Sequence, residues 1–164
     1  MTLLNGIAAI IIGSTHAGSM GEHMISHYID MFMGKNHPKT LHGEQVGVAT
    51  IKMSEIQNYF INKDTPFQFK KLKINKDHFF KKFPKNLASS FYKSYNKKKL
   101  DTDEINYINT KLINEWKNIN WKLKKYATKT NLIKESLKNI NAYTSNTDLK
   151  ISNDFYNLAL ENSF

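Results

Sequence analysis

Histidine is concentrated in the first 42 residues of this 164-residue chain, where five of its six histidines lie. His23 and His27 are four residues apart, so they share one face of any helix that contains them. His42 follows after a loop with glycine and proline. Neutral imidazoles bind divalent transition metals, and a catalytic zinc ion takes three protein ligands and leaves one position open. These histidines suit a metal or acid–base site, although spacing alone is explained as well by the polar face of an amphipathic helix.

Glycine follows the same distribution as histidine, because all seven glycines lie within the first 47 residues. Glycine permits tight turns and close approach of the main chain to a ligand. We therefore expect the chemistry in the first third of the chain. His16, His37 and His78 are interpreted as solvent or loop residues.

The hydrophobic pattern predicts helices that would position these histidines. A nearly all-round apolar helix is expected over residues 3–11, ending at the Gly-Ser-Thr of residues 13–15. A second helix is expected from about Ser19 to Met33, closed by Gly34. A third begins between residues 41 and 44 and continues to Phe60. A helix, a loop and a helix would thus carry the histidine cluster.

The rest of the chain is also expected to be helical. Residues 64–66 end the third helix, 67–75 are extended or irregular, and a helix pair over 76–95 is interrupted by Pro84. Asp101 or Thr102 caps a long helix to about Tyr126. Its predicted apolar side is Ile105, Ile108, Leu112, Ile113, Trp116, Ile119 and Leu123. Further helices cover 131–139 and run from 153 to the end. No segment alternates as a strand should, so the expected fold class is all-α.

The composition excludes several classes of protein. No cysteine is present, which excludes a disulfide framework, a zinc ribbon, an iron–sulfur cluster and a cysteine nucleophile. The apolar run of residues 3–12 is shorter than the ~20 residues of a membrane span, and no basic segment precedes it as in a signal peptide. We therefore expect a soluble, cytoplasmic protein.

The net charge of +10 comes entirely from 24 lysines, since the chain contains no arginine. Arginine is the preferred residue for bidentate contacts to phosphate and guanine, so no specific nucleic-acid partner is expected. Abundant Lys, Asn and Ile are typical of an A+T-rich genome, and an anionic partner surface is the alternative explanation. The aromatic set Trp116, Trp121, Tyr107 and Tyr126 is interpreted as helix packing rather than a base-stacking platform.

Two segments carry a specific resemblance. GEHMISHYIDM at residues 21–31 and LHGEQVGVAT at 41–50 resemble sn-glycerol-1-phosphate dehydrogenases. These belong to the superfamily of iron-containing alcohol dehydrogenases, glycerol dehydrogenases and dehydroquinate synthases. A weaker likeness continues through KKLDTDEINYINTKLINEWKNI and DFYNLAL, which look like the Lys-rich helices of the bacterial subgroup.

The resemblance implies a site and a reaction. His23 and His42 would bind a divalent metal, either zinc, nickel or iron, and His27 would face the substrate and the nicotinamide. Asp30 and Glu22 are candidate substitute metal ligands, and Glu44 would either hydrogen-bond a ligand or favour the helix dipole. The family reaction uses NAD(P)H to reduce a phosphorylated small molecule, dihydroxyacetone phosphate, to sn-glycerol 1-phosphate for phospholipid biosynthesis.

The resemblance also implies a division of labour between two lobes. The family has an amino-terminal nucleotide-binding domain with a glycine-rich turn and the Asp that is the third metal ligand, and residues 1–164 contain neither. We expect residues 1–164 to form a single helical metal-binding lobe, in which 1–62 bear the site and 63–164 form a Lys/Asn-rich remainder. NAD(P)H would be bound mainly by a separate nucleotide-binding lobe, and a homo-oligomer is a further candidate assembly.

The missing nucleotide-binding domain and one further departure from the family keep alternatives open. Residues 14–19 read Ser-Thr-His-Ala-Gly-Ser where family members commonly have Ser-Arg-Pro-Ala-Ser, so any role of that Arg-Pro pair is in doubt. A non-catalytic remnant with an anion-binding surface is one alternative. A dehydroquinate synthase-like lobe is another, but that enzyme usually has glycine at the positions of Glu22 and Ser26.

Overall fold

The computed structural model describes residue 10 and residues 20–163, and within them the chain is all-α and contains no strand. The predicted helix over 3–11, its end at 13–15 and His16 lie outside the described residues, apart from Ile10. The described helices are α1 (Gly21–Phe32), α2 (His42–Ile61), α3 (Lys76–Lys82), α4 (Lys85–Lys98), α5 (Thr102–Tyr126), α6 (Thr130–Asn139) and α7 (Asn153–Asn162). A 3-10 turn at Gly34–Asn36 follows α1.

The loop between α1 and α2 is built as the sequence predicts. Gly34 has a positive φ of 55°, the left-handed conformation that ends a helix at low steric cost when the residue is glycine. The His37 N–H donates to the Gly34 carbonyl, which closes the 3-10 turn. At the start of α2, the Glu44 carboxylate accepts the Leu41 N–H at 2.7 Å. Glu44 therefore closes the N-terminus of α2, where a negative charge also suits the helix dipole.

The chain divides into two compact units. The first contains the described residues up to Asn62 together with those from Tyr126 onward. In it α1 packs on α2 and α7, and α2 also packs on α6. Its core consists of Ile25, Ile29, Val48, Ala49, Leu149, Ile151, Tyr156 and Ala159. The end of the lysine-rich remainder thus packs against the two histidine-bearing helices and holds them in place.

The second unit is Lys63–Lys125. Its helices α3 and α4 pack together on either side of Pro84, and residues 67–75 have no regular structure, both as predicted. The Trp116 indole N–H donates to the Lys63 carbonyl at 3.2 Å, and the Phe67 ring meets Trp116 edge to face. Buried Trp116 therefore anchors the irregular segment against α5.

Three sequence predictions about helices need correction. Helix α2 ends at Ile61, before the Asp-Thr-Pro of residues 64–66, and α7 ends at Asn162 rather than continuing to residue 164. The predicted apolar side of α5 is only partly buried, because an irregular segment rather than a helix covers it within its unit. Exposed residues of that helix are Ile113, Leu123, Trp121, Tyr107 and Tyr126, so the last three are not the packing residues that were predicted.

Candidate functional site

Helices α1 and α2 bring three of the predicted histidines together. His23 and His27 lie one turn apart on α1, and His42 is the first residue of α2. The ring centroid of His42 lies 4.9 Å from that of His27 and 5.4 Å from that of His23. The helix–loop–helix arrangement expected from the sequence therefore places His42 beside both histidines of α1. Their chemical roles stay predictions.

One set of side chains within the described residues has the geometry to hold a metal ion. His27, Asp30 and His42 each offer a ligand atom, and these atoms lie within 4.8 Å of one another. In a tetrahedral site with bonds of ~2.1 Å, ligand atoms are about 3.4 Å apart, so a small side-chain adjustment would suffice. This set shares His42 with the predicted pair of His23 and His42, and it adds a carboxylate.

Asp30 contacts more residues of the site than the sequence suggested. Its Oδ1 atom lies 3.0 Å from His37 Nε2 and accepts a hydrogen bond from Gln45 Nε2 at 3.0 Å. Its Oδ2 atom lies 3.4 Å from His42 Nδ1. Burial raises the pKa of Asp30, but the hydrogen bonds from Gln45, His37 and His42 outweigh burial and leave that pKa below its ordinary value. Asp30 is therefore an anion at neutral pH.

His37 lies in the loop between α1 and α2, which agrees with its interpretation as a solvent or loop residue. Its ring is also hydrogen-bonded, because its Nδ1 accepts the Lys39 backbone N–H at 3.0 Å and its Nε2 faces Asp30. His37 is therefore part of the hydrogen-bond network around Asp30. His78, by contrast, is exposed on α3, as expected.

Sequence reasoning missed two buried residues of the site. Ser26 and Gln45 are both fully buried. The Ser26 hydroxyl donates to Gln45 Oε1 at 2.7 Å and lies 2.8 Å from His42 Nδ1. The available signal was a polar residue on each buried helix face, because Ser26 follows core residue Ile25 and Gln45 lies one turn before core residues of α2. A buried polar side chain requires partners, and here the partner is a site histidine.

Glu22 lies at the first turn of α1 beside His23. Its Oε1 atom accepts the Met20 N–H at 3.0 Å and lies 3.1 Å from His23 Nδ1. Burial raises the pKa of Glu22, but hydrogen bonds from the backbone N–H groups of Met20 and Glu22 and from His23 outweigh burial and lower that pKa overall. A second anion therefore lies beside His23.

The arrangement suits a cation bound by nitrogen and oxygen. The imidazoles of His27 and His42 and the ionised carboxylate of Asp30 are donor types that zinc, nickel and ferrous ions accept. His27 is exposed and, within the described part of the chain, has no hydrogen-bond partner. Its ring is therefore available to a metal ion or to a small molecule.

Comparison with known proteins finds similarity over a segment of about 50 residues. Glycerol-1-phosphate dehydrogenase (NAD(P)+) of Geobacillus thermodenitrificans is 43% identical over 49 residues, which are 29% of this chain and 12% of that protein. The enzyme of the same name from Methanosarcina barkeri is 49% identical over 49 residues, 30% of this chain and 13% of that protein. The Bacillus subtilis enzyme is 37% identical over 54 residues, 32% of this chain and 14% of that protein.

These matches are short relative to the proteins that contain them. The chain matches only 12–14% of the length of these curated relatives. No protein-family model matches the chain, and no solved structure matches it. Among the helices of residues 20–163, none combines the length and hydropathy of a membrane span. The comparisons thus support a link to glycerol-1-phosphate dehydrogenases at the level of a shared segment.

Proposed function

We propose that this chain is the carboxy-terminal helical lobe of a metal-dependent, NAD(P)-dependent sn-glycerol-1-phosphate dehydrogenase. The observation that carries the proposal is the position of His42, whose ring lies about 5 Å from both histidines of α1. The proposal is supported by the shared segment of about 50 residues with enzymes of that name. The reaction is the reduction of the ketone of dihydroxyacetone phosphate.

His23 and His42 are the metal ligands in this proposal, and the donor chemistry fits a divalent ion. Such an ion would supply Lewis-acid stabilisation of the oxygen that gains negative charge as hydride arrives. Exposed His27, one turn after His23, would hold a substrate hydroxyl or provide its proton. Asp30 and Glu22 place two negative charges at the cluster and so favour a bound cation.

A nucleotide-binding lobe that lies outside residues 1–164 completes the proposed enzyme. Hydride transfer requires the nicotinamide to be held near the ketone, and such positioning accounts for several kcal/mol of a barrier. Dinucleotides are usually bound where a glycine-rich turn joins a strand to a helix, and the described residues contain no strand. Two histidines also leave the metal one protein ligand short, so the helical lobe alone is expected to bind the metal weakly and not to turn over substrate.

Reconstitution of the two lobes tests the proposed function. NADH and NADPH oxidation would be followed with dihydroxyacetone phosphate and zinc, for residues 1–164 alone and with a separately expressed nucleotide-binding lobe of the same enzyme. We expect turnover only with both lobes, its loss in His23→Ala, and its retention in His78→Ala, which changes an exposed histidine of the second unit. Robust turnover by residues 1–164 alone would overturn the two-lobe arrangement, and failure of the added lobe to rescue activity would favour a non-catalytic remnant.

A further inference from the structure

We infer that Ser26 and Gln45 are positioning residues that hold the proton of His42 on Nδ1 and leave its Nε2 lone pair open toward a ligand. Both side chains are fully buried and linked to each other and to His42 by hydrogen bonds. The inference rests on the proposed function only for the identity of the ligand at Nε2. The position of the proton follows from the hydrogen-bond network itself.

The Lys39 backbone N–H determines which ring nitrogen of His37 carries the proton. The Lys39 backbone N–H can only donate, so His37 Nδ1, 3.0 Å away, must accept. A neutral imidazole then carries its proton on Nε2. That N–H donates to Asp30 Oδ1 at 3.0 Å.

The negative charge of Asp30 determines the orientation of the Gln45 amide. An ionised carboxylate can only accept, so the NH₂ end of Gln45 must face Asp30 Oδ1. The same NH₂ group donates to the Thr40 hydroxyl at 3.3 Å. Gln45 Nε2 also lies 3.0 Å from His37 Nε2. These two nitrogens do not bond each other, because each donates to Asp30 Oδ1. The carbonyl end of Gln45 therefore faces Ser26.

The orientation of Gln45 in turn determines, through Ser26, which ring nitrogen of His42 carries the proton. Ser26 has one hydroxyl proton and donates it to Gln45 Oε1 at 2.7 Å. The contact of 2.8 Å between Ser26 Oγ and His42 Nδ1 must then have His42 as the donor. Asp30 Oδ2, 3.4 Å from the same nitrogen, is a second acceptor for that proton. His42 Nε2 is left as the acceptor atom of a neutral ring.

This arrangement has the form that metal-binding histidines usually take. Such a histidine commonly donates its other ring N–H to a carboxylate or another fixed acceptor, which sets the tautomer and the ring orientation. Loss of such an outer partner typically lowers metal affinity about 10- to 100-fold. Because Ser26 is fully buried, water cannot readily replace its hydroxyl when it is removed.

Nitrogen-15 NMR and zinc titration of the 164-residue chain test the inference. The His42 ring nitrogens are observed without metal, at a pH where imidazole is neutral. We expect His42 to carry its proton on Nδ1 in the unmodified chain and to shift toward a mixture of tautomers in Ser26→Ala and Gln45→Met. We also expect about 10-fold or greater loss of zinc affinity in both variants.

Ser54→Ala is the matched control. Ser54 is also a nearly buried serine of the first unit, and its hydroxyl bonds the Thr128 carbonyl and the Thr130 hydroxyl rather than a histidine. It should lose stability without any change in the His42 tautomer or in zinc affinity. A His42 proton on Nε2 in the unmodified chain, or equal affinity losses in Ser26→Ala and Ser54→Ala, would overturn the inference. Because the tautomer is read without metal, a chain that binds no zinc would contradict the proposed function and still leave this inference tested.

Discussion

The Asp30 carboxylate is approached by three hydrogen-bonding side chains of the site. His37 and Gln45 both approach its Oδ1 atom, and His42 approaches Oδ2. Hydrogen bonds to a charged group contribute about 1.5–3 kcal/mol each, more than those between neutral groups. The carboxylate therefore joins α1, the loop and α2 into one network around the histidines.

Asp30→Asn is expected to weaken this network without loss of the fold. The amide can present either an oxygen or an NH₂ group to the two donors at Oδ1, but it no longer carries the charge that both of them stabilise. We expect a decrease of about 1–3 kcal/mol in the free energy of unfolding, measured by urea denaturation. Asp154→Asn, in the exposed first turn of α7, should change it by less than about 1 kcal/mol. Equal effects of the two substitutions would contradict the central position of Asp30.

Two glycines at helix ends near the site have different backbone conformations. Gly34 ends α1 with φ at 55°, whereas Gly43 lies in the first turn of α2. A Cβ atom at either position would meet no other atom within 4 Å. The two positions therefore differ in backbone conformation rather than in available space.

Gly34→Ala and Gly43→Ala are expected to change stability in opposite directions. Alanine at residue 34 would be forced into the left-handed conformation, which costs about 1–2 kcal/mol. Alanine in helix α2 is favoured over glycine by up to about 1 kcal/mol. Thermal and urea unfolding of both variants would show the difference. A Gly34→Ala variant as stable as Gly43→Ala would contradict the described end of α1.

Tyr156 places an unpaired hydroxyl in the core beneath α1 and α2. Within the described residues this buried oxygen has no hydrogen-bond partner. Burial raises the pKa of Tyr156 to about 12, and the negative charge of Glu55 adds to the effect. Because the folded pKa exceeds that of the unfolded chain, the associated stability is complete below about pH 10 and is lost as the pH rises through 12.

Tyr156→Phe is therefore expected to be neutral or slightly stabilising at pH 7, since it removes a buried polar atom without breaking a bond. The unmodified chain should lose roughly 2 kcal/mol of unfolding free energy on going from pH 10 to pH 12 through this group, and the variant should lack that loss. Urea denaturation at a series of alkaline pH values would measure both effects. A marked loss of stability in the variant at pH 7 would show that the hydroxyl has a partner.

The sequence predicted the helix ends and the histidine-bearing face of α1, but not the buried contacts between α1 and α2. Helix ends follow local rules, so Gly34 at the end of α1 and the Asp101 cap of α5 could be assigned from residue type. Histidine spacing predicted which rings share α1. The contacts of Ser26 with His42 and Gln45 cross 16 and 19 residues, and they depend on how two helices pack, which no local rule supplies.

The two units of the molecule differ in net charge. Lys63–Lys125 contains 17 lysines and six acidic residues, so this unit holds a net charge of +11, while the rest of the chain has a net charge of −1. Residues 1–51 have a net charge of −1 and residues 52–164 one of +11, so the sequence shows the change of sign after the histidine region. It could not show that residues 126–163 pack with α1 and α2, because these contacts join segments about 100 residues apart.

Binding to DNA is expected to be weak and independent of sequence. Lysines provide point-charge attraction to phosphate without the bidentate readout that arginine gives. Fluorescence anisotropy with unrelated duplexes should give equal affinities that fall steeply with salt concentration. Sequence-selective binding that persists at physiological salt would show that the lysine-rich unit is a specific nucleic-acid surface.

Zinc affinity of histidine variants tests whether His23 and His42 bind a divalent metal. Competition of the 164-residue chain with a chromophoric chelator would measure this affinity without nucleotide or substrate. We expect one zinc per chain, an affinity loss of about 10-fold or more in His23→Ala and in His42→Ala, and no change in His78→Ala. A loss in His27→Ala and Asp30→Asn with none in His23→Ala would contradict the claim and assign the metal to His27, Asp30 and His42.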